Sequence, residues 1–212
     1  MFRPALAATV AFAILASAST AALSQPAGPS KDPKAAPAGE YVLDRNHASV
    51  IARITHLGLS NFAIRLDDVD ASFVYDPANP SAAKVTATVD TNSFDVGNQK
   101  YQDMTLNEHF IKQRDILGNS KNPKVTFVST AINPSAGTMT GNLTLNGVTK
   151  PVTLKVVFNG TAPGMGGGAQ RMGFSASGII KRSDFGVAAQ MPAPILSDEV
   201  GLQIEAEFTK KA

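Results

Sequence analysis

Cysteine and tryptophan are both absent from this sequence of 212 residues. Without cysteine, the fold cannot depend on disulfide bonds even in an oxidising compartment, and no thiol follows the N-terminal apolar run to accept a lipid. Without tryptophan, the interior lacks the bulkiest side chain that could fill it. Charged residues are also sparse at 17%, against 43% hydrophobic residues. This length and composition predict one domain with one core.

A cluster of basic residues is also missing. The formal net charge is only +2, and lysine and arginine are scattered singly among acidic residues. Proteins that bind nucleic acids usually present a basic stripe or patch. The charge pattern therefore excludes a nucleic-acid partner.

The apolar run near the N terminus is too short to span a membrane. It extends from Ala5 to Ala16, follows Arg3 and precedes small residues up to Ser24. A basic start, a short apolar run and a small-residue cleavage region are typical of an export signal. The alternative is that this run forms an apolar first helix of the domain.

Three segments follow from this pattern. Residues 1–24 are predicted to be a signal peptide, which makes the mature protein periplasmic. Residues 25–39 carry four prolines among alanine, glycine and lysine, so we expect a flexible tether with nothing to bury. Residues 40–212 are predicted to form the folded domain.

The clearest structural signal is a hairpin between Gly141 and Phe158. Asn146-Gly147 suits a two-residue type I′ turn, because both positions require a positive φ. Counting outward from this turn pairs Leu145 with Val148, Leu143 with Lys150, Gly141 with Val152 and Met139 with Leu154. This face is apolar or small except at Lys150, and the other face is polar, which is typical of a sheet with one solvated side.

Strand patterns with turn residues between them continue through most of the chain after Glu40. They predict about eight antiparallel strands, and this patterning leaves either a sandwich or a closed barrel. Ser60 to Leu66 is ambiguous between a strand and a short helical crossing. Asn98 to Gln113 is predicted to be the one long helix, and Ser183 to Gly186 a short helical turn.

Six motifs follow one another along the chain. They are Tyr41-Val-Leu-Asp44-x-x-His47, Thr55-His56-Leu57-Gly58-x-Ser60-Asn61, Phe73-Val-Tyr-Asp76-Pro77-Ala-Asn-Pro80, Asn122-Pro-Lys-Val-Thr-Phe127-x-Ser129-Thr130, Gly141-Asn-Leu-Thr-Leu-Asn-Gly-Val-Thr-Lys-Pro151, and Ile180-Lys-Arg-Ser-Asp184-Phe185-Gly186 with the Glu199-Val200-Gly201 ending. In this order they resemble the YceI-like family of exported lipid-binding proteins, and the resemblance covers about Glu40 to Thr209.

The resemblance implies an all-β fold: a single elongated antiparallel β-barrel of about eight strands, lipocalin-like, with one capping helix. It also implies a long apolar tunnel that binds, and carries or stores, an isoprenoid lipid such as an isoprenoid quinone or a polyprenyl phosphate. No catalysis and no cofactor besides this lipid are expected, and transient contact with a membrane or membrane protein is possible. The chain is expected to be a monomer or a homodimer.

Combined with the strand patterns, the resemblance predicts which side chains line the tunnel. They are Val50, Ala52, Ile54, His56, Phe73, Val85, Val89, Phe110, Val125, Phe127, Leu143, Leu145, Leu154, Val156, Phe158, Phe174, Phe185, Leu202 and Ile204.

Two departures from the family pattern concern this tunnel. Relatives often have a large aromatic residue where Ala52 stands, so the tunnel is expected to be wider there. The usual Arg-Asp-x-His-Leu run of the capping segment is replaced between Tyr101 and Leu106, which leaves the preference for a head group open. Lys150 is expected near one end of the barrel, where it could extend into water or meet an anionic head group; we favour the first.

The histidines raise the alternatives of a metal site or an enzyme. His47 and His56 are nine residues apart, which places them on opposite faces of a strand, so no metal site is predicted. His56 shares the face of Ile54 and is either a histidine satisfied by a hydrogen bond or a ligand contact. A lipid-acting enzyme would use His56 first, but no serine has a nucleophile motif. A third alternative is a structural envelope protein with a filled core and an exposed apolar patch.

Overall fold

The computed structural model describes residues 28–112 and 121–212, so the predicted signal peptide lies outside the described residues. The described part is built almost entirely of strands with one α-helix. The elements are β1 (Gly39–His56), β2 (Ser60–Leu66), β3 (Val69–Tyr75), β4 (Lys84–Asp90), β5 (Phe94–Asp95), β6 (Lys100–Tyr101), β7 (Met104–Thr105), α1 (Leu106–Lys112), β8 (Lys124–Asn133), β9 (Thr138–Leu145), β10 (Val148–Gly164), β11 (Gly168–Lys181) and β12 (Leu196–Lys210).

The sheet closes into an antiparallel barrel because its first and last strands pair with each other. β1 pairs with β12 from Tyr41 opposite Lys210 to His56 opposite Leu196. The ring then runs from β1 through β3, β4, β8, β9, β10 and β11 back to β12, which makes eight strands. Of the two architectures that the strand patterns allow, the structure therefore has the barrel. Closure removes the unpaired edges that a sandwich would leave.

β2 and β3 act as one interrupted strand beside β1. β2 pairs with the second half of β1, from Val50 to His56, and β3 pairs with the first residues of β1. The register of β1 against β12 shifts between Leu43 and Ala48, where β1 bends. Such a bulge bends a strand and increases its twist. The segments on either side of this shift therefore belong to one long strand, Gly39–His56.

The hairpin of β9 and β10 has the register that the sequence predicts. Leu145 pairs with Val148, and the pairing continues to Met139 opposite Leu154. Asn146 and Gly147 have φ values of 51° and 78°, as a type I′ turn requires. This register confirms the prediction. The sequence could predict it because alternation and turn chemistry are local properties of the chain.

The structure decides one connection that the sequence left ambiguous and differs from the prediction at another. Ser60 to Leu66 is a strand throughout, with Phe62, Ile64 and Leu66 facing inward at a period of two. The helix predicted from Asn98 to Gln113 includes Leu106–Lys112, and Gln113 lies outside the described residues. Before it, the strands β6 and β7 form a small ribbon around Gln102, whose φ is 54°.

The start of α1 has a local cause. Thr105 Oγ1 accepts a hydrogen bond from the Glu108 backbone N–H at 3.2 Å, and Glu108 Oε2 accepts from the Thr105 backbone N–H at 2.7 Å. This reciprocal capping box satisfies backbone donors that a helix start leaves unpaired. The helix therefore begins at Leu106 instead of continuing from Asn98.

The described part of the predicted tether packs on the barrel. Residues 30–37, here called the strap, contain a 3-10 turn at Pro33–Ala35, and Ala36 is only 1% exposed. Ser30 forms a bridge with Thr161. This packing differs from the expectation of a segment with nothing to bury. Ala36 of the strap packs in a cluster with Tyr41, Phe73 and Tyr75.

The two ends of the barrel are distinct. One end, called the strap end, carries the strap and the turns after β3, β8 and β10. The opposite end, called the helix end, carries α1, the turn between β1 and β2, the Asn146-Gly147 turn and residues 182–195 between β11 and β12. Within the described ranges, no helix has both the length and the apolar character needed to cross a membrane.

Candidate functional site

The barrel is hollow. It encloses a cavity of about 1140 Å³ whose lining is overwhelmingly apolar. Ala52, Ile64 and Leu202 are cross-strand neighbours that face this space, and each keeps part of its surface accessible. Inward-facing apolar side chains with accessible surface indicate empty space, because a packed core would bury them fully.

The cavity wall includes nearly all of the side chains predicted to line a tunnel. Their contact with a ligand stays a prediction, but their position at the wall is a feature of the structure. The predicted residues at the wall are Val50, Ala52, Ile54, His56, Phe73, Val85, Val89, Phe110, Val125, Phe127, Leu143, Leu145, Leu154, Val156, Phe158, Phe174, Leu202 and Ile204.

Phe185 is the exception. The 3-10 turn Arg182–Phe185 directs its ring into a buried cluster with Phe127, Leu143 and Leu154, where it is 1% exposed. This ring supports the wall from within the packed cluster and is not part of the cavity lining. The short turn was predicted, but the direction of its side chains depends on contacts between distant strands.

An aromatic cluster lies at the strap end of the cavity. Phe73 stacks on Tyr41 with ring centroids 5.3 Å apart and contacts Phe208 edge-on at 4.9 Å. The Tyr75 hydroxyl donates to the Pro33 carbonyl at 2.8 Å, which attaches the strap to this cluster. Burial raises the pKa of both tyrosine hydroxyls. Phe73, Tyr75 and Phe208 line the cavity, so the cluster forms part of its wall at this end.

The helix end is covered by aromatic side chains of the capping segment. Phe110 of α1 stacks on Phe62 of β2 with centroids 5.6 Å apart, and Phe94 meets Phe110 edge-on at 6.3 Å. His109 lies 4.3 Å from Tyr101 between ring centroids. All five rings line the cavity. The short helix α1 thus covers much of the helix end through ring contacts.

Hydrogen bonds anchor this capping segment. Asn107 of α1 donates to Asp95 Oδ1 at 2.8 Å and accepts from the Val96 backbone N–H at 2.7 Å. The hydrogen bond from Asn107, followed by that from the Gly97 backbone, lowers the pKa of Asp95. The cap is therefore attached to the barrel by one amide and by its aromatic contacts.

Arg182 organises the remaining rim of the helix end. Its side chain is 6% exposed and lines the cavity, yet all five of its guanidinium hydrogens are used. They are donated to the carbonyl oxygens of Ser197 (3.0 Å), Val187 (3.2 Å), Ala188 (2.7 Å), Met191 (2.6 Å) and Leu196 (3.1 Å). This cation clamps the loop between β11 and β12 and has no hydrogen left for a ligand.

Lys150 lies near one end of the barrel, as expected, and His56 lies near the same end, the helix end. His56 is exposed and lies at the edge of the cavity, so it is not a core histidine. Lys150 is exposed and is not among the described residues that line the cavity. This exposed position agrees with the favoured interpretation that its side chain extends into water.

His47 belongs to a charged cluster outside the cavity. Its Nδ1 lies 2.9 Å from Asp44 Oδ2, and Asp44, His47 and Glu207 bring their potential ligand atoms within 4.8 Å of one another. Arg171 Nη1 donates to Asp44 at 2.9 Å and to Glu207 at 3.0 Å. The guanidinium thus already supplies positive charge to both carboxylates, so the arrangement is complete as an ion-pair network.

Sequence reasoning missed several wall residues. The inward face of β2, including Phe62 and Ile64, had a readable signal in its period-two alternation. Phe94 and Tyr101 lie in the two-residue strands β5 and β6, and His109 lies in the seven-residue helix α1. These elements are too short for a periodicity to indicate direction. Arg182 had no signal as a clamp, because its partners are backbone carbonyls of a loop that only the folded chain brings to it.

Comparison with known proteins matches residues 41–208 to the model of the YceI-like domain. A UPF0312 protein of Pseudomonas aeruginosa is 41% identical over 175 residues, which cover 80% of this chain and 86% of that protein. The crystal structure of BcnA from Burkholderia cenocepacia is similar with a TM-score of 0.63 and 26% identity, covering 78% of this chain and 98% of that one.

A more distant neighbour shares the fold. It is a polyisoprenoid binding domain from Saccharophagus degradans that is implicated in plant cell wall breakdown. The TM-score is 0.57 at 15% identity, with 81% of this chain and 98% of that chain covered.

Proposed function

This chain belongs to the YceI-like family, and from that premise we propose that it binds a long isoprenoid lipid in its barrel and carries or stores it outside the cytoplasm. The ligand is of the isoprenoid quinone or polyprenyl phosphate type. The protein performs no chemistry on it. A barrel that binds lipid agrees with the family and with the polyisoprenoid-binding neighbour of the same fold.

The hollow apolar interior carries this proposal. A cavity of about 1140 Å³ exceeds the usual range for drug-sized ligands and has few polar groups on its wall. An isoprenoid chain likewise has no polar groups along its length. Each buried CH₂ contributes roughly 0.8 kcal/mol, so a lining of valine, alanine, leucine and isoleucine is sufficient for affinity.

The aromatic cluster at the strap end and the polar side chains at the helix end give the ligand a direction. The tail extends toward Tyr41, Phe73 and Phe208, and the polar head remains near the helix end. There the cavity wall includes His56, Tyr101 and His109. These three side chains can meet a polar head group, whereas the aromatic cluster suits an apolar tail.

The proposed place of action is the periplasm, and the proposed partner besides the lipid is a membrane or membrane protein that supplies or receives it. The N-terminal pattern of residues 1–24 supports export. Because an isoprenoid is almost insoluble in water, a carrier must exchange its ligand at a membrane. Exchange of this kind needs an accessible end of the cavity.

Organic extraction of the protein purified from a native-like host, followed by mass spectrometry, tests the proposal. We expect one or a few isoprenoid species at close to stoichiometric amounts. The matched control is the same protein after delipidation and incubation with vesicles that contain or lack the recovered lipid. An extract without any apolar ligand, together with a failure to load the delipidated protein, would contradict the proposal.

A further inference from the structure

The turn between β1 and β2 presents two leucines to solvent. Leu57 is 50% exposed and Leu59 is 84% exposed, although both are large apolar residues. Neither lines the cavity, and Gly58 between them adds no side chain. A pair of leucines at the tip of a tight turn is an unusual use of apolar surface, because exposure of this surface to water is unfavourable.

The backbone holds this pair in place. Leu57 has a φ of 53°, in the left-handed region that asparagine or glycine adopts more readily. Its backbone N–H donates to the Ile195 carbonyl at 2.9 Å, and the Leu59 N–H donates to the His56 carbonyl at 2.9 Å. A bulky residue kept in a disfavoured conformation suggests a role that local stability does not explain.

The exposed leucines continue the apolar surface of the cavity. His56 and Phe62 flank the turn on β1 and β2, and both line the cavity. Ile195, whose carbonyl accepts from Leu57, also lines it. An apolar ligand that leaves the cavity at this edge would pass the side chains of the turn.

The turn between β10 and β11 at the opposite end lacks this continuity. Met165 is fully exposed in this turn, so the strap end also presents a large apolar residue. However, none of residues 159–171 lines the cavity. Met165 therefore provides a natural comparison: it is at least as exposed as the leucines, but its surroundings are not continuous with the cavity wall.

Charges near the leucine turn have both signs. Arg53 and Lys181 are balanced by Asp198 and Glu199 on the neighbouring end of β12. A surface of this kind has no strong preference for anionic lipids, in contrast to a polybasic patch. Attachment through this turn would depend on apolar insertion and would be little affected by salt.

We propose that Leu57 and Leu59 insert into the surface of a phospholipid bilayer and dock the helix end of the barrel there for ligand exchange. This inference rests on the proposed function and identifies the surface through which it operates. Two leucines bury much less apolar surface than a membrane anchor, so docking is weak and reversible. A carrier that must leave the membrane with its cargo requires such reversibility.

The first test removes the apolar pair without straining the turn. Asparagine tolerates the left-handed conformation of residue 57, so the double variant Leu57→Asn with Leu59→Ser is expected to fold at least as well as the parent. Flotation with vesicles of phosphatidylethanolamine and phosphatidylglycerol should show roughly tenfold or greater loss of binding per leucine. The matched control Met165→Ser should bind as the parent does.

Equal binding of the double variant and the parent would overturn the proposal. Binding by the parent that disappears in about 0.5 M salt, where the screening length lies between about 3 and 10 Å, would also overturn it, because charges would then hold the protein to the vesicle.

The second test uses the absence of tryptophan. A Leu59→Trp variant and a Met165→Trp variant each contain a single tryptophan. In vesicles with brominated acyl chains, fluorescence at position 59 should be quenched and blue-shifted, whereas fluorescence at position 165 should be unchanged. Quenching at position 165 alone, or at neither position, would overturn the proposed orientation.

A third measurement separates this inference from the proposed function. Binding of menaquinone-4 in detergent solution should be the same for the parent and the double variant, because neither leucine lines the cavity. Transfer of the same quinone between vesicles should be at least tenfold slower for the double variant. If the parent binds quinone and transfer is unchanged, only the docking surface is wrong; if neither protein binds any isoprenoid, the proposed function itself fails.

Discussion

The phenyl rings of Phe62 and Phe110 stack with centroids 5.6 Å apart and planes inclined by 12°. One ring belongs to the barrel wall and the other to the capping helix, so this pair attaches the cap to the rim. Stacked rings contribute about 0.5–1.5 kcal/mol beyond the area that they bury. The contact therefore adds to the attachment that the Asn107 hydrogen bonds give the cap.

Replacing Phe110 by alanine should loosen the cap while the barrel remains folded. We expect faster amide hydrogen exchange in residues 106–112 and release of bound lipid roughly tenfold faster, because the ring contact contributes about 1 kcal/mol or more. Ile111→Ala is the matched control on the exposed side of the same helix. Equal effects of the two substitutions on lipid release would show that the ring pair has no special role.

Replacing Ala52 by phenylalanine should reduce the capacity of the cavity. Ala52 faces the hollow interior between Ile64 and Leu202, so an added ring would enter empty space and compete with the ligand. Displacing two CH₂ groups of an isoprenoid tail weakens binding about tenfold. Isothermal titration with a quinone of fixed tail length measures this change.

The control for Ala52 is Ala63→Phe on the outer face of the neighbouring strand, where the side chain is exposed. It should leave affinity unchanged. The thermal stability of the Ala52 variant should be equal to or higher than that of the ligand-free parent, because the new ring fills a void. A sharp loss of stability would indicate that the interior at this level is already packed.

Replacing Arg182 by methionine should destabilise the helix end. Five carbonyl oxygens would lose their donor, and unsatisfied buried polar groups cost about 1–3 kcal/mol each before relaxation or hydration. We expect a loss on the order of 3 kcal/mol and a melting temperature lower by roughly 6–12 °C. Lys181→Met, which removes an exposed neighbouring charge, should have little effect in the same calorimetric experiment.

Acidification should weaken the charged cluster around Asp44. The hydrogen bond with His47, assisted by Arg171, lowers the pKa of the Asp44 carboxyl below its usual value of 3.8. A group whose pKa is lower in the folded state stabilises the fold above its unfolded pKa, and this contribution is lost as the pH falls through the folded value. Melting temperatures measured between pH 7 and pH 2.5 should therefore fall less steeply for Asp44→Asn than for the parent.

Arg171→Gln provides the partner for a double-mutant cycle. If Asp44 and Arg171 act as one network, the effects of the two substitutions on the melting temperature at pH 7 should be less than additive. Exactly additive effects would show that the contact contributes nothing measurable, which is common for exposed ion pairs.

Local sequence signals predicted much of the barrel. The register of the β9–β10 hairpin follows from Asn146-Gly147 and from the alternation on either side, both of which act within a few residues. The same period of two placed the inward faces of β1 and β12, including Ile54 and Ile204. The capping box at Thr105 and Glu108 is equally local. The prediction of a longer helix, beginning at Asn98, did not use this signal.

The sequence by itself determined which side chains face inward, because alternation along a strand depends only on neighbouring residues. Only the tertiary structure decided whether those side chains meet one another or surround empty space. That outcome depends on the pairing of β1 with β12, strands from opposite ends of the domain, and on the distance that closure leaves between facing walls. The clamp of Arg182 and the stacking of Phe110 on Phe62 have the same origin, since each joins segments that no local pattern relates.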